Sequence, residues 1–217
     1  MVNFDAVYQG RTPLGGKPPW DIPEPQPVLV ELERTGKIRG DVLDAGCGTG
    51  EHTLYLASRF HQVIAIDVSS VAIDKARAKA LSRGVRATFV VGDALALSDY
   101  KDAFDTVVDC GLFDVCPPER QASYAEALHR ATRPGAYVYL LELSASSAEL
   151  MMRRFVELGV PENQLASLPK LTPSDLHAAF ADRWREEFLE ESTMRVRLPG
   201  STESSETPAL FAGFQRI

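Results

Sequence analysis

Small residues and carboxylates cluster around one turn of the sequence. The segment Gly46-Cys-Gly-Thr-Gly50 follows a short apolar run and opens a helix-like segment. Glycines at a strand-to-helix turn let the backbone approach a ligand closely, because no Cβ atom stands in the way. Asp44 precedes the turn, Asp67 follows its start by about 20 residues, and Asp93 comes after a third apolar run. Open α/β sheets bind ligands at the carboxyl ends of their strands, so this pattern predicts a nucleoside-binding site.

The charge around the turn distinguishes two classes of ligand. A dinucleotide fingerprint reads G-x-G-x-x-G/A, whereas Glu51 stands at the third conserved position here. A pyrophosphate at that helix N-terminus would face a carboxylate of like charge. S-adenosylmethionine has no phosphate and carries a cationic sulfonium, so a turn flanked by Asp44 and Glu51 favours it. A dinucleotide and a purely structural turn are the alternatives.

Two of the acids have a predicted partner on such a ligand. Asp67 ends the second apolar run, where a carboxylate can accept hydrogen bonds from both ribose hydroxyls. The alternative role for Asp67 is an acid favoured by a helix dipole. Asp93 can accept from the adenine amino group, and its alternative role is that of a surface turn residue.

Alternating strands and helices are predicted to position these residues. Strands are expected at 41–45, 62–67, 87–91, 106–109 and 136–141, and helices at 28–35, 51–59, 70–82, from 117 to before Gly135, and at 148–158. Near-continuous apolar strands separated by helices predict a parallel sheet covered on both faces, a doubly wound α/β fold. Thr172-Pro-Ser-Asp175 predicts a capped helix. Extended runs at 184–198 and 209–217 predict a closing hairpin around a polar loop at 199–208.

Length and charge limit the function classes. The chain has 217 residues and a formal net charge of −7, so a basic nucleic-acid surface is not expected. Its three cysteines have no CxxC spacing, and we expect no disulfide framework and no metal site. No apolar run reaches the roughly 18 residues that span a bilayer, and no secretory signal is visible. We therefore expect no membrane partner and a cytoplasmic location.

Together these residues resemble class I S-adenosylmethionine-dependent methyltransferases. Leu43-Asp-Ala-Gly-Cys-Gly-Thr-Gly50 is similar to the first motif of that family, and Val63-Ile-Ala-Ile-Asp67, Gly92-Asp93 and Arg133-Pro-Gly-Ala136 are similar to its later motifs. The resemblance covers residues 38–145. It implies a Rossmann-like, seven-stranded, mostly parallel sheet with an antiparallel last strand. It also implies S-adenosyl-L-methionine as the cofactor, with Asp44 near its methionine end.

A Pro-rich arm at 15–27 narrows the resemblance. Trp20-Asp21 and the prolines after it look like the W-D-x-G-x-x-x-P arm of the thiopurine and halide/thiol methyltransferase group. Small bacterial enzymes that methylate heterocyclic toxins look similar there. This chain departs from the pattern at Pro23, where Gly is usual. In that group the arm folds over the cofactor, the Trp contacts it, and a further contact follows the fourth-strand acid, here Cys110. The predicted cofactor-binding residues are then Trp20, Asp44, Gly46, Cys47, Gly48, Thr49, Gly50, Asp67, Val68, Asp93, Ala94 and Cys110.

The acceptor side is predicted from the chemistry of methyl transfer. The leaving thioether is neutral, so catalysis can come largely from orienting an acceptor in a dry pocket. Tyr8, Trp20, Phe113 and Asp114 are expected to contact the acceptor. Phe113 either stacks on a flat acceptor or packs in the core. Asp114 is the catalytic candidate that meets the acceptor or its proton, and its alternative role is a charge at the N-terminus of the helix at Pro117.

These observations rank three functions for a single domain over 1–217, with an arm and helix at 1–37, a cofactor-binding core at 38–145 and a C-terminal part at 146–217. The leading hypothesis is methyl transfer to O, S or N of a small, aromatic or heterocyclic acceptor. Protein or nucleic-acid methylation is an alternative, although Cys110-Gly-Leu-Phe113 stands where amino-directed nucleic-acid enzymes carry N/D-P-P-Y/F. A non-catalytic cofactor-binding protein is the third.

Overall fold

The structure is a computed structural model that describes residues 2–11, 17–161, 170–198 and 200–217. Gly15 and Gly16 of the predicted arm, and Pro199 of the predicted loop, lie outside these residues.

Seven strands form one sheet in the order β3-β2-β1-β4-β5-β7-β6. The strands are β1 (Asp41–Ala45), β2 (Gln62–Asp67), β3 (Thr88–Val91), β4 (Phe104–Cys110), β5 (Thr132–Leu143), β6 (Trp184–Val196) and β7 (Ser205–Arg216). Strands β1 to β5 are parallel, whereas β7 is antiparallel to both β5 and β6. The predicted doubly wound sheet with an antiparallel last strand is confirmed.

The helices of the described residues cover both faces of this sheet. They are α1 (Phe4–Tyr8), α2 (Pro27–Arg34), α3 (Glu51–Ser58), α4 (Ser70–Arg83), α5 (Pro118–Ala131), α6 (Ala145–Glu157) and α7 (Pro173–Ala179), with a 3₁₀ turn at Phe113–Val115. Helix α4 is capped at both ends: Ser69 Oγ accepts from Ala72 N–H at 3.1 Å, and Gly84 is left-handed with a φ of 65°. Thr172 and Asp175 form the predicted capping box of α7.

Two local predictions are corrected, and one short helix was missed. Helix α1 was not predicted, because five residues show no periodicity; Asn3 caps it by accepting from Ala6 N–H at 3.1 Å. Strand β5 begins directly after α5, and Gly135 (φ 81°) lies within it beside a register shift instead of ending the helix. Strand β7 begins at Ser205, since the polar residues before Pro208 pair with β6.

Neighbouring residues of the central strands point into two separate cores. Val107 faces the core under α5 and α7, whereas Val108 faces the core under α2, α3 and α6. Because β1 to β5 are parallel, their carboxyl ends meet at one edge of the sheet, and the predicted site residues follow these ends. In the described part of the chain, no helix is long and apolar enough to cross a membrane.

Candidate active site

The glycines of the turn between β1 and α3 have conformations and contacts that exclude larger residues. Gly46, Gly48 and Gly50 have φ of 70°, 53° and 85°, in the left-handed region. A Cβ atom on Gly46 would lie 2.8 Å from Leu112 Cβ, and one on Gly48 would lie 2.7 Å from Tyr8 Oη. The turn therefore needs glycine for its backbone shape and for the close approach of neighbouring groups.

Asp67 lies against this turn at the end of β2. Its Oδ2 accepts from Gly48 N–H and its Oδ1 from Ser69 N–H, both at 2.8 Å. Burial raises the pKa of Asp67, and the two N–H donors oppose that shift. Each carboxylate oxygen has a second lone pair, so the group can accept further hydrogen bonds from a diol.

Asp44 is almost completely buried at the end of β1. Thr53 Oγ1 donates a hydrogen bond to Asp44 Oδ2 at 2.5 Å. Burial raises the pKa of Asp44 to about 7, the Thr53 hydrogen bond lowers it, and the carboxylates of Asp109 and Asp67 raise it further. Such a site favours a cationic group, which would stabilise the ionised carboxylate.

Asp93 follows β3, where its side chain is partly exposed. Oδ1 accepts from Leu95 N–H at 2.9 Å, and Oδ2 accepts from Arg120 Nη2 at 2.9 Å. Asp93 is therefore a surface turn residue with an ion pair, and it would have to share its oxygens with any adenine amino group. Ala94 beside it is buried, whereas the Val68 side chain is 57% exposed.

The N-terminal arm lies on the glycine turn. Thr49 Oγ1 donates to Asp21 Oδ1 at 2.6 Å, and Trp20 Nε1 donates to Tyr8 Oη at 3.1 Å. Tyr8 is buried over Gly48, while Trp20 is 37% exposed. The Tyr8 hydroxyl lies against the glycine turn, and its contact with an acceptor stays a prediction.

The side chains of Cys47 and Glu51 face away from the turn. The Cys47 side chain packs in the core formed with Leu54, so only its backbone remains for a ligand. Glu51 Oε1 is 2.8 Å from Lys79 Nζ, and Oε2 is 2.7 Å from Arg83 Nη1. The expected repulsion between Glu51 and a phosphate is therefore corrected, since both cations neutralise Glu51. The negative character of the site comes instead from Asp44 and Asp67.

The residues after β4 divide between the core and the site. Phe113 is completely buried, with its ring centroid 6.3 Å from that of Tyr124 and 6.0 Å from that of Phe180. This corrects the prediction that Phe113 stacks on an acceptor.

Cys110 is half-buried, and burial raises the pKa of its thiol. Asp114 lies in the 3₁₀ turn, where burial raises its pKa to about 7.

The sequence reasoning missed Glu142 near the end of β5. Its side chain is fully buried, and Oε2 accepts from Asp114 N–H at 3.0 Å. Asp114 Oδ2 in turn accepts from Leu143 N–H at 2.9 Å. The sequence could have indicated this residue, because Glu142 interrupts a strongly apolar strand, and a buried acid needs a specific partner.

The sequence reasoning also missed a set of hydrogen bonds around Gln26, beside the site. Gln26 Nε2 donates to Arg195 O and Gln26 Oε1 accepts from Arg195 N–H, both at 2.8 Å. The Gln26 N–H donates to His52 Nε2 at 3.2 Å, and burial lowers the pKa of His52 to about 4. These hydrogen bonds join the end of the arm to β6, and Gln26, His52 and Cys110 line a small apolar cleft beside them.

Comparisons with known proteins agree with this geometry. The family described as a methyltransferase domain matches residues 42–135. A 2-heptyl-1-hydroxyquinolin-4(1H)-one methyltransferase of Mycobacteroides abscessus is 40% identical over 142 residues, which are 64% of this chain and 63% of that protein. The chain thus spans less than two thirds of that relative. An uncharacterised methyltransferase of Schizosaccharomyces pombe, C1348.04, is 33% identical over 54% of this chain and 81% of its own length.

Further relatives extend the match to most of the chain. A probable thiol methyltransferase of Arabidopsis thaliana is 26% identical over 82% of this chain and 84% of its own length. A solved structure described under "Conversion of a Disulfide Bond into a Thioacetal Group during Echinomycin Biosynthesis" is 42% identical, with a TM-score of 0.90 over 98% of this chain and 90% of that chain. A tRNA 5-carboxymethoxyuridine methyltransferase of Escherichia coli is also similar, at 31% identity over 68% of this chain and 58% of that protein. The chain belongs to the methyltransferase domain family, whose cofactor is S-adenosyl-L-methionine.

Proposed function

We propose that this chain transfers a methyl group from S-adenosylmethionine to an O, S or N atom of a small aromatic or heterocyclic acceptor. The observation that carries the proposal is the pair of buried acids beside the glycine turn. Asp67 is oriented by Gly48 N–H, and Asp44 is buried within reach of the same turn. The two carboxylates offer acceptors for a ribose and a negative environment for a cation.

The residues of the site fit the cofactor. Close contacts at Gly46 and Gly48 leave backbone, and not side chains, facing the ligand. Asp67 would hold the ribose, Asp44 would lie near the cationic methionine end, and Asp93 with Val68 would border the adenine. When bound, S-adenosylmethionine supplies a methyl group on a sulfonium whose leaving thioether is neutral. The chain therefore needs no acid for the leaving group.

The enclosure of the site supports a small acceptor. Tyr8, Trp20 and Asp21 lie over the glycine turn, and Gln26 fastens the end of the arm to β6. A covered site excludes water and orients a small reactant, which can contribute roughly 7–11 kcal/mol. The names of the relatives support flat heterocycles and sulfur compounds as the acceptors to test. The net charge of −7 favours them over nucleic acid.

Asp114 is the proposed group for the proton of the acceptor. Burial raises its pKa to about 7, which suits a general base at neutral pH. In the reaction, the acceptor atom bonds to the methyl carbon while the carbon–sulfur bond breaks, and a hydroxyl or thiol acceptor loses its proton to Asp114. An acceptor that is already anionic would not need this step.

Thermal unfolding with three ligands tests the cofactor assignment. A ligand at about 100 times its Kd stabilises the folded state by roughly 2.7 kcal/mol. We expect S-adenosylmethionine and S-adenosylhomocysteine to raise Tm and NAD to leave it unchanged. Asp67→Ala should abolish the shift, whereas Asp74→Ala on the exposed face of α4 should keep it. Stabilisation by NAD alone would overturn the assignment, and no shift with any ligand would favour a non-catalytic protein.

A methyl-transfer screen tests the acceptor. 2-Heptyl-1-hydroxyquinolin-4(1H)-one, an aromatic thiol, a phenol, a cyclic peptide disulfide, bulk tRNA and a mixed peptide library should be compared with the same labelled cofactor. We expect turnover of at least one of the four small compounds, and no turnover of the tRNA or of the mixed peptide library. Asp114→Asn should slow turnover of a weakly acidic acceptor by about 10²-fold or more, and turnover of a pre-ionised thiolate far less. Turnover of RNA alone would reject the small-acceptor proposal.

A further inference from the structure

Three buried carboxyl groups meet where β4 and β5 end, on the α5 side of the sheet. Asp109 is 2% exposed, Glu142 0% and Asp114 8%. Asp109 Oδ1 accepts from Leu112 N–H at 3.0 Å, and Oδ2 accepts from Tyr124 Oη at 2.9 Å. Glu142 Oε2 accepts from Asp114 N–H. Both oxygens of Asp109 and Oε2 of Glu142 thus each accept a hydrogen bond from the chain.

One of the four carboxyl oxygens of Asp109 and Glu142 has no hydrogen-bond donor. Glu142 Oε1 is buried and meets no N–H or O–H donor among the residues that the structure describes. The two carboxyl groups are nevertheless neighbours: besides burial, Asp109 raises the pKa of Glu142, and Glu142 lowers the pKa of Asp109. Two carboxylates are acceptors only, so such a contact requires a hydrogen on one of them. In the described residues no group of His, Cys, Asp or Glu is arranged to hold a metal ion instead.

The surroundings determine which acid carries the hydrogen. Burial, then the carboxylates of Asp109 and Asp114, raise the pKa of Glu142 well above its usual value. Asp109 has donors on both oxygens, which favour its ionised form, and burial raises its pKa only to about 6. Other titratable neighbours are Tyr124 of α5, Cys110 of β4, Cys116 after the 3₁₀ turn and Asp44 of β1. All four are acids, and burial raises the pKa of each. In the described residues neither acid forms an ion pair with a Lys, Arg or His side chain.

The pair fastens the segment at 111–115 to the end of β5. Asp114 N–H donates to Glu142, and Leu143 N–H donates to Asp114, so the two segments hold each other reciprocally. Asp109 holds Leu112, whose Cβ lies 2.8 Å from the position of a Cβ on Gly46. The carboxyl pair therefore sets the contact between the acceptor-side segment and the glycine turn.

We propose that Glu142 is a positioning residue that remains a neutral acid at physiological pH, shares its hydrogen with Asp109, and so holds the segment at 111–115 beside the glycine turn. It acts through Leu112 and Asp114 and does not itself touch a ligand. The catalytic consequence rests on the proposed methyl transfer, whereas the protonation state of Glu142 does not. Deprotonation would bring adjacent carboxylates into repulsion and loosen the segment.

Carbon NMR of glutamate labelled at the side-chain carboxyl group tests the protonation state without cofactor or acceptor. The resonance missing in Glu142→Gln identifies Glu142, and Glu149→Gln on the exposed face of α6 is the matched control. We expect the Glu142 resonance to keep the shift of a neutral acid up to at least about pH 8, whereas a model glutamate has a pKa of about 4.3. Titration of Glu142 near that ordinary value would overturn the proposal.

Two further variants separate positioning from mere packing. Gln keeps a donor for Asp109 and an acceptor for Asp114 N–H but cannot ionise. Glu142→Gln should therefore leave the Kd of S-adenosylhomocysteine within about 2-fold, and its Tm should fall less than the wild type's at alkaline pH. Glu142→Leu can bond neither to Asp109 nor to Asp114 N–H, so it should raise the Kd of S-adenosylhomocysteine by about 10-fold. In Asp109→Asn the amide donates to Glu142, so the Glu142 resonance should titrate at lower pH than in the wild type. Equal damage by Gln and Leu, or an unchanged titration in Asp109→Asn, would reject the positioning role.

Discussion

Thr49 donates a hydrogen bond to Asp21 at 2.6 Å, and this contact joins the N-terminal arm to the glycine turn. Lys79 Nζ donates to the same Thr49 oxygen at 2.6 Å and lies 4.0 Å from Asp21. Helix α1 before the arm is also fastened, because Asp5 accepts from Ser69 Oγ at 2.6 Å at the start of α4. Both N-terminal segments are thus attached beside the proposed cofactor site.

Removing the Asp21 contact should weaken cofactor binding more than it weakens the fold. Hydrogen bonds to charged groups contribute about 1.5–3 kcal/mol, so Asp21→Ala should raise the Kd of S-adenosylhomocysteine by about 10- to 100-fold in calorimetry. The Tm of the free protein should fall by only about 2–4 °C, equivalent to about 1 kcal/mol, because releasing the arm leaves the packed core intact. Asp74→Ala removes the same charge from an exposed site and should leave the Kd unchanged. An unchanged Kd in Asp21→Ala would mean that the arm does not cover the cofactor.

The contact between Tyr8 and Gly48 can be tested by a double-mutant cycle. Gly48→Ala introduces a Cβ 2.7 Å from Tyr8 Oη, at a φ of 53°. Tyr8→Phe removes that oxygen, although it also removes the acceptor of the Trp20 hydrogen bond. Gly48→Ala should therefore lower Tm less in the Tyr8→Phe background than in the wild type, with a coupling of about 1 kcal/mol in urea unfolding. Additive effects would show that backbone strain alone makes Gly48 necessary.

Much of the sheet could be predicted because its signals are local. Strands β1 and β2 are confirmed at both ends, at Asp41–Ala45 and Gln62–Asp67, since each is a short apolar run between polar turns. The caps of α4 depend on Ser69 and Gly84, whose roles follow from residue type.

The rest depends on contacts between distant segments. Glu51 looks like a free acid beside the turn until α4 brings Lys79 and Arg83 to it. Phe113 is an aromatic residue in a loop until Phe180 of the segment after α7 covers it. The carboxyl pair of Asp109 and Glu142 forms only when β4 and β5 lie side by side. No local pattern encodes these long-range partners.

The role of Asp93 predicts a preference for one base over another. If Asp93 accepts from the adenine amino group, S-inosylhomocysteine, which has an oxygen there, should bind about 10- to 100-fold more weakly than S-adenosylhomocysteine. In Asp93→Asn the amide can donate to that oxygen, so the ratio of the two Kd values should fall to about 3-fold or less. Arg120→Gln removes the competing partner of Asp93 and should leave the preference in place. A wild-type protein that binds both compounds equally would leave Asp93 with its structural role alone.

The raised pKa of Asp44 predicts opposite pH trends for stability and for ligand affinity. Its pKa is about 7 in the folded chain and about 3.9 when unfolded. The folded state therefore binds the proton more tightly, and its stability should fall as pH rises from about 4 through 7, by up to about 1.4 kcal/mol per pH unit. A cationic ligand favours the carboxylate, so affinity for S-adenosylmethionine should instead rise over the upper part of this range.

Asp44→Asn separates this residue from the other buried acids. Asp67 has a raised pKa, as does Asp109, and both face Asp44, so the wild-type curves contain their contributions too. The Asn variant accepts the Thr53 hydrogen bond without ionising, and the difference between the two proteins isolates Asp44. We expect the variant to bind S-adenosylmethionine with a flatter pH dependence between about pH 6 and 8, and to lose less stability over that range. Wild-type affinity that is equally flat would mean that Asp44 is already ionised or lies away from the ligand's charge, since a neutral acid beside a bound cation must release its proton.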